Sequence, residues 1–287
     1  MRRGNGAAVV SFRYGAWVSV AVDDATPLFG RPVTLTATVT PANPAAGPPG
    51  GEVTFFDGTT PLGTAVLDGG RATLRTGALQ PTGHTVTARY AGDAAFTPAA
   101  TGGPTEITVG FSGPCLTTAH QGPLTVAAGE AVCIGAGGSQ SGPVTVRPGG
   151  ALAVTDAALT GPFSADGALA LTICHSALTG PVSVQRSTGP VVIGSDREGG
   201  ACAGNTLRGP LTVEANTGGT EVSANAVTGA VRITGNSGTG PLPQALAPAF
   251  RANRVTGPLR CEDNAPELLQ TGTTTTGPRT GQCRPTD

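Results

Sequence analysis

No stretch of the chain approaches the roughly twenty consecutive apolar residues that a membrane-spanning helix needs, so no helical span is expected. Charge is equally scarce. Only 12% of residues are charged and the net charge is -1, with arginines dispersed along the chain, so nothing forms the basic stripe that would attract a phosphate backbone. Nucleic acid is therefore not an expected partner. Aromatic side chains are few, and there is no CxxC, HExxH, GxSxG or GxxxxGK[ST] motif, which leaves no zinc knuckle, zincin helix, nucleophile elbow or phosphate loop to build on. With three histidines in all, no metal site and no cofactor is expected.

What the chain does have is 45 Gly and 25 Pro, which would repeatedly interrupt long helices. Hydrophobic residues still make up 38%, enough for a core. Many short strands joined by turns satisfy both facts. Val33-Thr34-Leu35-Thr36-Ala37-Thr38-Val39-Thr40 has a period of two, placing Val33, Leu35, Ala37 and Val39 on one face and threonines on the other. Val53-Thr54-Phe55 runs into Asp57-Gly58, Ala72-Thr73-Leu74 follows Asp68-Gly69-Gly70, and Val86, Ala88 and Tyr90 alternate inward. Several such strands in fewer than one hundred residues predict a two-sheet sandwich. Tyr90 is expected to be packed, Asp93 to shape the following turn, and His84 to sit at the surface where its strand begins.

The residues Phe29-Gly30-Arg31-Pro32-Val33-Thr34-Leu35-Thr36-Ala37, Gly51-Glu52-Val53-Thr54-Phe55-Phe56-Asp57-Gly58, Pro61-Leu62-Gly63 and Ala88-Arg89-Tyr90-Ala91-Gly92-Asp93-Ala94-Ala95-Phe96 closely resemble bacterial Ig-like repeat domains. The resemblance implies a secreted or cell-wall-associated spacer or adhesive module. It does not extend to the inter-sheet disulfide of antibody domains, because this segment has no cysteine.

Beyond Val109 the period changes. Gly122-Pro123-Leu124-Thr125-Val126 is echoed at Gly142-Pro143, Gly161-Pro162, Gly180-Pro181 and Gly209-Pro210, with weaker copies at Gly229-Ala230 and Gly257-Pro258. The starts lie about twenty residues apart except where longer segments intervene, which is the spacing of a stacked solenoid. An apolar residue stands two positions before the glycine at Leu159, Leu178, Leu207, Val227 and Val255, and Ser176, Asn205, Asn225 and Asn253 stand four before it. These short polar side chains predict a turn ladder that satisfies backbone groups in successive layers. The pattern resembles a parallel β-helix. The expected fold is all-β: an N-terminal extension over 1–16, an Ig-like sandwich over 17–110, a β-solenoid over 111–265 and a polar tail over 266–287. Insertions are expected near 195–204 and 240–252, the second with a short helix from Gln244 to Phe250.

Cys115, Cys133, Cys174, Cys202, Cys261 and Cys283 all follow the first module, and their spacing favours disulfides in an oxidising compartment. Sequence does not choose among the pairings. Cys115–Cys133, Cys174–Cys202 and Cys261–Cys283 is preferred because each link closes a local interval without crossing the repeat. Met1-Arg2-Arg3 followed by Ala7-Ala8-Val9-Val10 has the outline of the end of an export signal, but a complete signal is not evident. An extracellular or cell-wall location is expected.

Some parallel β-helices resemble enzymes that cleave acidic polysaccharides, and Asp196 and Glu198, inside the first insertion, are the best local carboxylate pair for such chemistry. An exposed charged loop explains them more simply. The leading expectation is thus a non-catalytic surface protein presenting a glycan- or protein-binding surface. A β-helix enzyme and a purely structural wall spacer are the alternatives.

Overall fold

The computed structural model describes residues 12–77, 79–196, 202–238 and 248–284. The chain divides into two compact units: one holds residues through Asp24, Thr34–Arg75 and His84–Glu106, the other Ala25–Val33, Thr76–Gly83 and everything from Ile107 onward. Apart from a short 3-10 turn at Pro44–Ala46, the described elements are strands.

Two sheets form the N-terminal module. β1 (Ala16–Val22), β2 (Val33–Pro41) and β5 (Arg71–Thr76) make one, and β3 (Glu52–Asp57), β4 (Thr60–Val66), β6 (Gly83–Tyr90), β7 (Ala99–Ala100) and β8 (Thr105–Thr108) make the other. The alternation read from the sequence is the alternation of burial: Val33, Leu35, Ala37 and Val39 on β2 and Val86, Ala88 and Tyr90 on β6 are all at most 2% exposed. Pro61 is tolerated within β4 because that strand is at the edge of its sheet and pairs only with β3.

His84 departs from expectation. It does begin β6, but it is buried, with Nδ1 2.7 Å from Oδ2 of Asp57. The carboxylate at the end of β3 makes burial of the imidazole tolerable, and no local pattern revealed that the two strands would be neighbours. Asp93 organises its turn as anticipated. One carboxylate oxygen accepts from the amides of Ala95 and Phe96, both at 2.7 Å, and the other from Gly50 at 2.9 Å. These bonds, led by that from Gly50, hold its carboxyl below the ordinary 3.8. Burial, helped by the charge of Asp93, pushes the Tyr90 phenol up to about 12.

The second unit is a stack of coils; six of them are triangles of three short parallel strands, and the last two have strands on two sides. Sheet A runs through eight strands from Leu124–Val126 to Arg279–Gly281, sheet B through six from Ala131–Ile134 to Ala249–Arg251, and sheet C through eight from Ala119–Gln121 to Thr274–Thr275. Residues of one coil align with their equivalents in the next, so Leu159, Leu178, Leu207, Val227 and Val255 form one buried column on sheet C. Phe163, Val182, Leu211, Val231 and Leu259 form another on sheet A. Each such aliphatic or aromatic side chain contributes about 1.5–3 kcal/mol on burial, and the columns merge into one continuous core.

Glycine at the corner between sheets C and A is required by contact. A Cβ on Gly180 would lie 2.4 Å from the carbonyl oxygen of Gly161, and one on Gly209 2.3 Å from that of Gly180; the φ angles there are 130° and 151°. Any side chain would push the coils apart.

Two expectations need correction. The segment 266–287 is not a separate polar tail, because Thr274–Thr275 pairs with Arg254–Val255 and Arg279–Gly281 with Leu259–Cys261, adding one more coil. Gly277-Pro278 repeats the corner. The expected helix reaching Phe250 is replaced at its end by the strand Ala249–Arg251, where Phe250 is fully buried in the core; the preceding residues 239–247 lie outside the described residues.

Deleting the whole coil from Gly142 to Thr160 rejoins two equivalent corners and should leave circular dichroism β-rich with cooperative unfolding, whereas a deletion about half a coil longer, which puts the following strands out of phase, should abolish it. In the module, a carboxyl held below its unfolded value stabilises the fold above that value and loses the contribution as pH falls through the folded one. Urea midpoints should therefore drop as pH goes below about 4, and Asp93→Asn should flatten that dependence.

Candidate functional site

The corner between sheets B and C carries the residues singled out by the repeat. Ser176, Asn205, Asn225 and Asn253 stack in one buried column. Asn225 Oδ1 accepts from the backbone amide of Asn205 at 3.0 Å and from its Nδ2 at 2.9 Å, and Asn253 Oδ1 does the same for Asn225 at 2.9 and 3.0 Å. Each Nδ2 also donates to a carbonyl at a strand end, those of Ile173, Ile193 and Val222. Buried turn amides and carbonyls are thus paired from coil to coil.

A second column went unread in the sequence. At the corner between sheets A and B, Ser187, Asn216, Asn236, Asn264 and Gln282 form an equivalent chain, with Asn216 Nδ2 donating to Asn236 Oδ1 at 2.8 Å and Asn236 Nδ2 to Asn264 Oδ1 at 3.0 Å. The signal was present, since Asn216, Asn236 and Asn264 each follow their corner glycine by seven residues.

The two excursions both border sheet B. One leaves after Val191–Ile193 and returns at Asn205, and the other separates Val231–Thr234 from Ala249–Arg251. Asp196, on the first, meets a partner that sequence distance did not suggest: its Oδ1 is 2.8 Å from Nη2 of Arg251. The same nitrogen is 3.5 Å from Oε1 of Glu221, which also accepts from Ser195 Oγ at 2.9 Å. Glu198 lies outside the described residues. Glu221 is fully buried, so the carboxylate that joins Asp196 around the guanidinium is not placed to meet a sugar. The arrangement fastens the excursion to the stack, alongside the Cys174–Cys202 disulfide.

Cys115 is bonded to Cys133 and Cys261 to Cys283, so no described cysteine is free to act as a nucleophile, including Cys174 beside His175. His175 instead faces Asp156 of the preceding coil, Nδ1 to Oδ1 3.1 Å. This pair lines an open groove of about 530 Å³ along the corner between sheets B and C, together with Ser139, Ala158, Ala177 and Thr206. His120 bonds Gln140 at 2.6 Å. Among the described residues no group of three or more His, Cys, Asp or Glu side chains is arranged to hold a metal ion. A smaller groove of about 310 Å³ crosses sheet A, where Arg232 and Arg260 stand in register and Arg260 is held by Glu262 at 2.6 Å.

Residues 20–110 match the bacterial Ig-like domain (group 3) family, about a third of the chain, so the N-terminal module is a bacterial Ig-like domain. No curated protein and no solved structure matched the chain.

Asn225→Ala removes the acceptor for two Asn205 donors and the donor to the Ile193 carbonyl, all buried. It should cost about 3 kcal/mol in equilibrium denaturation of the solenoid. Asn236→Ala should cost a similar amount, since its Oδ1 accepts from the amide and Nδ2 of Asn216 and its Nδ2 donates to the Val213 carbonyl.

Proposed function

We propose that the chain is a non-catalytic protein of the bacterial surface, in which the Ig-like module serves as spacer or attachment and the solenoid presents a glycan- or protein-binding surface. The observation that carries this reading is the uninterrupted run of sheets A and C, eight registered strands each, beside a sheet B bordered by both excursions. Such a stack is a rigid platform whose outward residues change without disturbing the core. Three disulfides favour an oxidising compartment, and no helix among the described residues is long and apolar enough to cross a membrane. The disulfides support an extracellular or cell-wall location.

The enzyme alternative built on Asp196 and Glu198 loses support from the commitment of Asp196 to Arg251. A glycosidase needs two carboxyl groups that reach the scissile bond from a cleft. The purely structural spacer is separated from the display reading by binding alone. The intact chain, immobilised and screened against bacterial-wall polysaccharides, host glycans and extracellular matrix proteins, should retain a reproducible subset saturably. Failure to retain any of them would leave the spacer. Product release from a polysaccharide that disappears in Asp196→Asn would instead establish the enzyme.

A further inference from the structure

We propose that the groove between sheets B and C binds a neutral polyhydroxylated saccharide laid along the stack, with Asp156 and His175 as its hydrogen-bonding wall. The inference rests on the surface-display reading and gives it a place and a ligand class.

Its shape comes from the repeat. Ser139, Ala158, Ala177 and Thr206 are equivalent positions on four successive strands of sheet C. At roughly 4.8 Å per step they span about 14 Å, long enough for a short oligosaccharide. The volume of about 530 Å³ lies within the range usual for ligand sites, roughly 300–1,000 Å³. Two alanines keep the middle open, and hydroxyls stand at both ends.

The wall is chemically distinct from the rest of its column. A left-handed backbone recurs at this corner, with φ of 54° at His175, 59° at Ala224, 52° at Ala252 and 66° at Gly272, and 52° at the equivalent Asp156 of the preceding coil. Only Asp156 and His175 in this set carry polar side chains, and they lie in adjacent coils against the groove. An L side chain in this conformation costs about 1 kcal/mol or more relative to glycine, so the pair is held where the backbone would gain from glycine.

The pairing engages Nδ1 of His175 and Oδ1 of Asp156, while the side chains remain 64% and 50% exposed. With Nδ1–H donated to the carboxylate, Nε2 is left as an acceptor, and Asp156 Oδ2 offers a second. Sugar hydroxyls donate to both. Among the described residues no arginine lines the groove, so a chain of uronic acids would meet Asp156 without an arginine to compensate it.

The substitutions that remove the wall are favourable to the fold. At φ near 50° glycine relieves backbone strain, so His175→Gly and Asp156→Gly should fold at least as well as the parent, and lost binding cannot be ascribed to unfolding. The intact protein is titrated with cellohexaose, xylohexaose and hexagalacturonate by calorimetry, with the His175 ring resonances followed by NMR. At least one neutral hexasaccharide should bind and shift those resonances. Its affinity should fall about tenfold or more in each variant while circular dichroism and Tm are maintained. Undiminished binding in both variants would overturn the site and leave the display reading standing. Preference for hexagalacturonate would overturn the ligand class. No binding of any of the three overturns the inference, and the wider reading falls with it only if the polysaccharide and protein screen is also blank.

Discussion

Successive coils meet backbone against backbone at the corner between sheets C and A. A methyl group on Gly142, Gly161, Gly180, Gly209 or Gly257 would lie within 2.7 Å of the carbonyl oxygen of the corner beneath. That contact brings the strands on either side to hydrogen-bonding distance, and the three parallel sheets follow from it. It also fixes where length can vary. Extra residues cannot enter at the glycine corner without separating the layers, and both excursions leave the stack elsewhere.

A parallel stack turned through three corners per coil leaves turn amides and carbonyls that no strand satisfies, and burying them unpaired would be costly. The two carboxamide columns answer this. Asn205 and Asn236 do so at the places where the chain rejoins or departs for an excursion, so register is restored immediately beside each interruption. At the ends of the stack, where a column runs out of partners, the Cys115–Cys133 and Cys261–Cys283 disulfides cross-link neighbouring coils.

Asp196 illustrates how this architecture changes the meaning of a residue. In the sequence it is a carboxylate near another carboxylate, which raises the thought of acid–base chemistry. In the fold it pairs with Arg251, more than fifty residues later and on a strand of sheet B, and the pair anchors a loop. Asp156 and His175 travel in the opposite direction. They are nineteen residues apart and unremarked as a pair by spacing, yet one coil of stacking makes them neighbours at a groove.

Much of the fold was legible because its determinants are local and periodic. The alternation around Val33–Pro41 sets which face of a strand is buried, and the recurrence of Gly-Pro with an aliphatic residue two positions earlier sets the coil. Even the second asparagine column was within reach, at a constant offset from the same glycines. The extra coil at 266–284 was obscured because its polar composition reads as a tail until Gly277-Pro278 is placed in phase. What the sequence by itself determined is therefore the repeat, its register and the class of architecture, since these depend on side-chain period and backbone sterics along a single strand. Only the tertiary structure decided that His84 is buried against Asp57, that Asp196 belongs to Arg251 and that Asp156 faces His175. Those contacts depend on which strands and coils become neighbours in space, and electrostatic or hydrogen-bonding partners at that range leave no period in the chain.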